Sequence, residues 1–241
     1  MKLGIISDIH GNLEALKQVL ADIDQSELNG VACLGDNIGY GPEPEKVVKL
    51  IRKRNIPSIM GNHELVIVDP RYLVEMNPMA RRSSVLTLDL LSRDTIDYIH
   101  GLRPSMIFHG ALLVHGCPPD SITTYLFELS NVQLGQLFPA MQEKICFVGH
   151  THDLEIISFD RGKVTRAPLP EGPTRLQAEQ KYIINVGSVG QPRDGNNKAK
   201  YVIWDTCSQR IEVRFIPYDI AVTANKILKL GFPDFYARRL W

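Results

Sequence analysis

Leu3-Gly4-Ile5-Ile6-Ser7-Asp8-Ile9-His10-Gly11-Asn12 is the stretch on which the fold turns. Its first four residues form a short apolar run that breaks into polar ones, the pattern of a buried parallel strand. Asn12 is a good helix N-cap, and Leu13, Leu16, Val19, Leu20 and Ile23 follow it at helical spacing. Outward from there, residues 31–34 make a second strand, 47–51 lie in a helix that starts near Pro44, and 57–60 read as a third short strand. Strand, helix, strand, helix, strand with short connections predicts an α/β fold built on a parallel sheet.

Residues 65–100 break the alternation. Residues 65–74 show no clear period, whereas 79–91 and 94–99 look helical, with Arg81 and Arg82 on a solvated face. The segment is too short for a good core of its own, so it is expected to be a helical insertion or cap on a single domain spanning 1–241. Beyond it the pattern turns mostly to strands, at 106–108, 112–115, 145–148, 155–159, 163–167, 182–186, 201–204 and 211–215. Residues 168–173 are expected to be a loop and 219–228 a closing helix.

Composition narrows the partners. An apolar fraction of 44% excludes a disordered chain, and 27 basic against 27 acidic residues give no polycation for nucleic acid or membrane. The chain meets Asp8 too soon for a signal-peptide core, and no run approaches the ~20 apolar residues of a membrane span. Cys33, Cys117, Cys146 and Cys207 form no CxxC pair, and Cys33 and Cys146 sit in apolar runs as buried thiols. A soluble, cytoplasmic protein is expected.

Chemistry concentrates at strand ends. Asp8-Ile9-His10, Gly35-Asp36, Gly61-Asn62-His63-Glu64, His115-Gly116 and Gly149-His150-Thr151-His152 each follow a predicted strand, where ligands gather in open sheets. In extended chain, residues i and i+2 share a side, so Asp8 and His10 can hold one ion together, as can His150 and His152. Carboxylate, imidazole and amide oxygen suit divalent manganese, iron or zinc. Five of the seven histidines fall in these motifs, which random placement would rarely achieve; His100 and His109 read as structural.

The blocks DxH, GD, GNH[DE], H and GHxH, in this order over residues 8–152, resemble the calcineurin-like metallophosphoesterase superfamily. Residues 185–193, Asn-Val-Gly-Ser-Val-Gly-Gln-Pro-Arg, are similar to the closing loop of its small bacterial and archaeal members. The resemblance implies a four-layer α/β/β/α sandwich with two divalent metal ions at its centre. It implies that Asp8, His10 and His152 bind the first ion, that Asn62, His115 and His150 bind the second, and that Asp36 bridges them. The resemblance makes His63, which holds no ion, the general acid beside the leaving group. The phosphoprotein phosphatases of the superfamily continue their GD block as GDxxDRG; here Gly39 and Tyr40 stand at the acid and arginine places.

The expected activity is therefore that of a phosphodiesterase on a nucleotide or similar small phosphoester. Two cations about 3.5–4 Å apart would clamp the attacking and leaving oxygens and generate a bridging hydroxide. A phosphomonoesterase or phosphoprotein phosphatase, and a non-catalytic metal-binding scaffold, are the alternatives. Arg193, Tyr40 and Asn12 are candidate substrate contacts, with helix capping the competing role for Asn12 and an exposed turn that for Arg193.

Overall fold

The computed structural model describes residues 1–241. Its strands are β1 (Lys2–Ile6), β2 (Gly30–Cys33), β3 (Ser105–Phe108), β4 (Ala111–Val114), β5 (Ile145–Val148), β6 (Leu154–Asp160), β7 (Lys163–Pro168), β8 (Gly172–Arg175), β9 (Lys181–Val186), β10 (Ala199–Asp205) and β11 (Arg210–Ile216). The helices are α1 (Leu13–Gln25), α2 (Pro44–Lys53), α3 (Asn62–Val68), α4 (Pro78–Leu88), α5 (Arg93–His100), α6 (Asn131–Ala140), α7 (Ile220–Lys229) and α8 (Asp234–Arg238). One sheet runs β2-β1-β10-β11-β8 and the other β3-β4-β5-β9-β6-β7.

Strand alternation builds the layers. Leu3 and Ile5 of β1 and Val202 and Trp204 of β10 join Ala111, Leu113, Phe147 and Ile184 of the other sheet in one core between the sheets. The intervening residues Ile6, Tyr201 and Ile203 face the other way and pack on Leu16, Val19 and Ile23 of α1. On the far side, Val114, Cys146 and Val148 meet Leu134 and Phe138 of α6. Helices, sheet, sheet and helix make the four-layer α/β/β/α sandwich that the resemblance implied. No helix is long and apolar enough to cross a membrane.

Several expectations need correction. The sheets are mixed: β1–β2 and β4–β5–β9 pair in parallel, while β1–β10 and β10–β11 are antiparallel. Residues 57–60 form only a bridge, Cys33 to Ser58, because the chain turns at once into α3. Of the loop expected over 168–173 only residues 169–171 are loop: Pro168 ends β7, and Gly172 and Pro173 open β8, an edge strand where Pro173 needs no ladder donor. Helix α6 was missed; Gly135 and Pro139 weaken its pattern, although Ser130 and Gln133 cap it reciprocally.

Within 65–100, Ala80 and Ile99 are buried against other parts of the chain, while Val74, Val85 and Leu88 stay exposed. Ala80 of α4 packs with Ile220, Ala224 and Ile227 of α7 and Tyr236 of α8, and Ile99 of α5 packs with Val48 of α2. This places α3 and α4 beside the ends of the strands that carry the polar motifs.

Candidate metal centre

The loops after β1, β2, β4 and β5 and the start of α3 deliver Asp8, His10, Asp36, Asn62, His63, His115, His150 and His152 to one place. All but Asn62 are buried. Their ligating atoms form three overlapping groups: Asp8, His10 and His152; His10, Asp36 and His63; and Asp36, His115 and His150. Asn62 joins the last through its Oδ1, 3.2 Å from His115 Nε2. His150 and His152 thus fall in different groups, contrary to the expectation that spacing i, i+2 would pair them.

The backbone explains the discrepancy. Asp8, His10, Asp36, His150 and His152 all have positive φ, between 49° and 68°, so these segments are left-handed turns and not extended chain. Non-glycine residues seldom adopt that region, and such outliers cluster at functional sites. At each turn the side chain leaves the strand line, which sends His150 and His152 apart and folds Asp8 and His10 onto one point.

Backbone carbonyls set the imidazoles. His10 Nδ1 donates to the Ile38 carbonyl at 3.0 Å, His115 Nδ1 to Leu34 at 2.8 Å and His152 Nδ1 to Gln191 at 2.6 Å. Each bond fixes the tautomer and leaves the Nε2 lone pair pointing inward. His150 is reversed: its Nε2 donates to the Thr123 carbonyl at 3.1 Å, freeing Nδ1, and its ring stacks on Tyr125 at 3.8 Å.

The donor set fits divalent cations. His10 Nε2 and His152 Nε2 face each other at 3.0 Å, two lone pairs with no proton of their own between them, and Asp8 Oδ1 is buried without a hydrogen-bond partner. Asp8 Oδ1 lies 3.2 Å from His152 Nε2, and Asp36 Oδ2 lies 3.3 Å from His115 Nε2 and 3.7 Å from His10 Nε2. Burial lowers His115, but Asp36, Asp8 and the Leu34 carbonyl outweigh it and raise its pKa to about 9. The carboxylates therefore call for positive charge at this spot. His150 is held down to about 3 by burial and by His115.

Glu64 stands in the Gly61–Glu64 motif, but sequence reasoning gave it no role of its own. Its buried carboxylate accepts the backbone N–H of Asp36 at 2.8 Å, of Asn37 at 2.7 Å and of Gly61 at 3.0 Å, tying the Asp36 turn to the start of α3. Gly61 has no side chain to cap that helix, and a Cβ there would run into Asp36. Asp36 supplies the cap, its Oδ1 accepting from His63 N at 2.9 Å. Burial and Asp36 push Glu64 up to about 7, against the N–H bonds from Asn37 and Asp36. The N-cap to N3 spacing of Gly61 and Glu64 was the available signal. Glu64→Ala strands three buried donors, each costing about 1–3 kcal/mol. A net loss of about 3 kcal/mol is expected, lowering Tm by about 6–12 °C for a chain of this size. A drop of a degree or two in thermal unfolding would show that the donors find other partners.

His63 lines a pocket of about 300 Å³ over the cluster, together with Tyr40, Tyr72, Met76, Tyr125 and Arg193. Burial lowers its pKa to about 4, so the ring is neutral at pH 7. Its Nδ1 is buried without a partner against Gly39, whose positive φ and missing Cβ leave room for the ring. Tyr40 packs edge-on to His10 at 4.8 Å and His63 at 4.6 Å. Asn12 is a correction: its Oδ1 accepts from Ala15 N at 3.2 Å and its Nδ2 donates to the Gly190 carbonyl at 2.9 Å. It is fully buried as a cap, with no group free for substrate. His100 ends α5 and His109 turns the β3–β4 hairpin, both exposed and outside the cluster.

Residues 1–209 match the family model of the calcineurin-like phosphoesterase superfamily domain, and the chain belongs to that family. Membership implies a metal-dependent hydrolase that uses divalent ions. Among its relatives, an uncharacterized protein of Methanocaldococcus jannaschii is 35% identical, over 99% of this chain and 97% of its own length. The crystal structure of a metallophosphoesterase from Sphaerobacter thermophilus is 36% identical and superposes with a TM-score of 0.85 over 100% of this chain and 98% of its own. A hypothetical protein from Pyrococcus horikoshii OT3 shares the fold at 17% identity, with a TM-score of 0.82 over 100% and 97% of the two chains.

Proposed function

We propose that this chain is a divalent-metal-dependent phosphodiesterase acting on a nucleotide or a similarly small phosphoester, with 1–241 working as one catalytic domain. The observation that carries the proposal is the reach of Asp36, whose Oδ2 stands within 4 Å of both His10 and His115. In this reading Asp8, His10 and His152 hold one ion, Asn62, His115 and His150 hold another, and Asp36 serves both. Manganese, iron and zinc all suit these ligands. When bound, such ions supply Lewis acidity, lowering the pKa of a water from about 15.7 towards about 7 and neutralising phosphoryl charge.

The chain's own groups do the rest. Carbonyl-backed imidazoles keep their lone pairs on the centre, and Glu64 holds the Asp36 turn. His63 has no hydrogen-bonded carboxylate; in this reading the negative charge of the bound phosphoester, added to that of Asp36, draws its ring to the protonated form, and it gives that proton to the departing oxygen. Leu65, Val66, Tyr72 and Met76 of the 65–100 segment wall a space sized for a small substrate. Four free cysteines accord with a reducing compartment, the cytoplasm.

The preference for diesters rests on two positions. No side chain fits at Gly39, so the acid of the phosphatase motif has no counterpart. Tyr40 replaces its arginine, and burial pushes the hydroxyl up to about 12, so it adds no charge of either sign at neutral pH. Among the residues lining this pocket, Arg193 is the guanidinium available for phosphate, which matches a singly charged diester better than a dianionic monoester. Manganese-loaded protein is expected to hydrolyse bis-p-nitrophenyl phosphate with a kcat/KM about tenfold or more above that for p-nitrophenyl phosphate, the worth of one charged contact. The reverse preference would make it a monoesterase.

A further inference from the structure

Arg193 lines two adjoining clefts. One is the pocket over the histidine and aspartate cluster. The other, of about 280 Å³, lies between the loop carrying Arg193, Asn196 and Asn197 and the segment carrying Arg239 and Trp241. Neither guanidinium is paired with an acid, because the acids beside them are engaged elsewhere. Asp194 takes the Lys200 ammonium at 2.7 Å, and Asp234 takes Arg238 at 3.2 Å. Asp194 is not free to change partners, since the Lys200 side chain is wholly buried and would be left as an unpaired charge.

The two arginines are short of partners in other ways too. Arg193 donates to Gln191 Oε1 at 3.1 Å, yet its Nε is buried with no acceptor. Arg239 lies over the Phe235 ring at 5.2 Å, and burial together with the nearby charge of Arg193 depresses its pKa. Two like charges sharing a cleft, one with an unsatisfied buried donor, form an arrangement that an oxyanion completes. Guanidinium forks match phosphoryl oxygens bidentately, and two converging forks suit three oxygens better than the two of a carboxylate.

We propose that this cleft binds a second phosphoryl group of the substrate, gripped by Arg193 and Arg239 while the scissile group sits over the metal ligands. Preferred substrates then carry an anionic phosphate beyond the one being cleaved. The proposal rests on the phosphodiesterase reading for the place of the scissile phosphorus, while the anion cleft itself is independent of it.

The test uses the metal-loaded full chain and three p-nitrophenyl substrates built on thymidine 5′-phosphate. One has no further phosphate, one a 3′-phosphate, and one a polyphosphate chain before the ester. Arg239→Ala is expected to raise the KM ratio of the better phosphate-bearing substrate to the plain one by about 10- to 100-fold, the range of a charge-assisted bond. Arg239→Lys should restore part of the ratio, and Arg161→Ala, exposed on the turn between β6 and β7, should leave it at the wild-type value. A ratio unmoved by Arg239→Ala would overturn the proposal, as would wild-type protein that does not favour either phosphate-bearing substrate. Calorimetric titration with inorganic tripolyphosphate separates the two claims. If no ester is turned over, the phosphodiesterase reading fails. Tripolyphosphate binding that Arg239→Ala weakens about tenfold or more then still supports the cleft, and binding it leaves unchanged sinks it.

Discussion

Asp36→Ala is expected to lose bound metal and to fall to background turnover. Asp36 meets both histidine groups through Oδ2 and caps α3 through Oδ1, so its removal unties the centre twice over. Losing a partner behind a metal ligand costs about 10–100-fold in affinity, and losing a shared ligand should cost more. Asp36→Asn separates the two roles, since the amide oxygen can still cap α3 while the negative charge is gone. Elemental analysis after dialysis, beside kcat/KM on bis-p-nitrophenyl phosphate, reads both variants. Full metal content and wild-type rate in Asp36→Asn would show that the carboxylate does not serve the ions.

His63→Ala should keep its metal yet turn over an alkyl diester about 10²–10⁴-fold more slowly, the usual contribution of general acid catalysis. On a p-nitrophenyl ester, whose leaving group departs without a proton, the loss should be much smaller. The contrast between the two substrates is the diagnostic, because a merely structural defect would slow both alike. An equal loss on both, or undiminished alkyl-ester cleavage, would remove His63 from that role. The ring is positioned by packing against Gly39 and Tyr40 and by the start of α3, not by a hydrogen-bonded acid.

Much of this was legible in the residues. The apolar run at Leu3–Ile6, the Asn12 cap and the periodicity of α1 gave the first strand and helix, and the polar blocks gave the cluster. Local pattern could not report the left-handed backbone at Asp8, His10, Asp36, His150 and His152. An extended-strand argument therefore put His150 and His152 together where the turns drive them apart. Partners from distant chain were equally invisible: Glu64 acts on Asp36 and Asn37 across 27 or more residues, and α6 is held by the sheet more than by its own weakly amphipathic sequence. Mixed strand direction also escaped notice, because β10 enters beside β1 from the far end of the chain.

That last pairing has a consequence for biosynthesis. Lys2 stands opposite Asp205, so β1 has one neighbour nearby in β2 and another that is translated some 200 residues later. At about 5–20 residues per second, the nascent first strand waits about 10–40 s with one side open. For that interval an apolar strand edge is offered to whatever else is near the ribosome, a hazard that chaperone cover would limit.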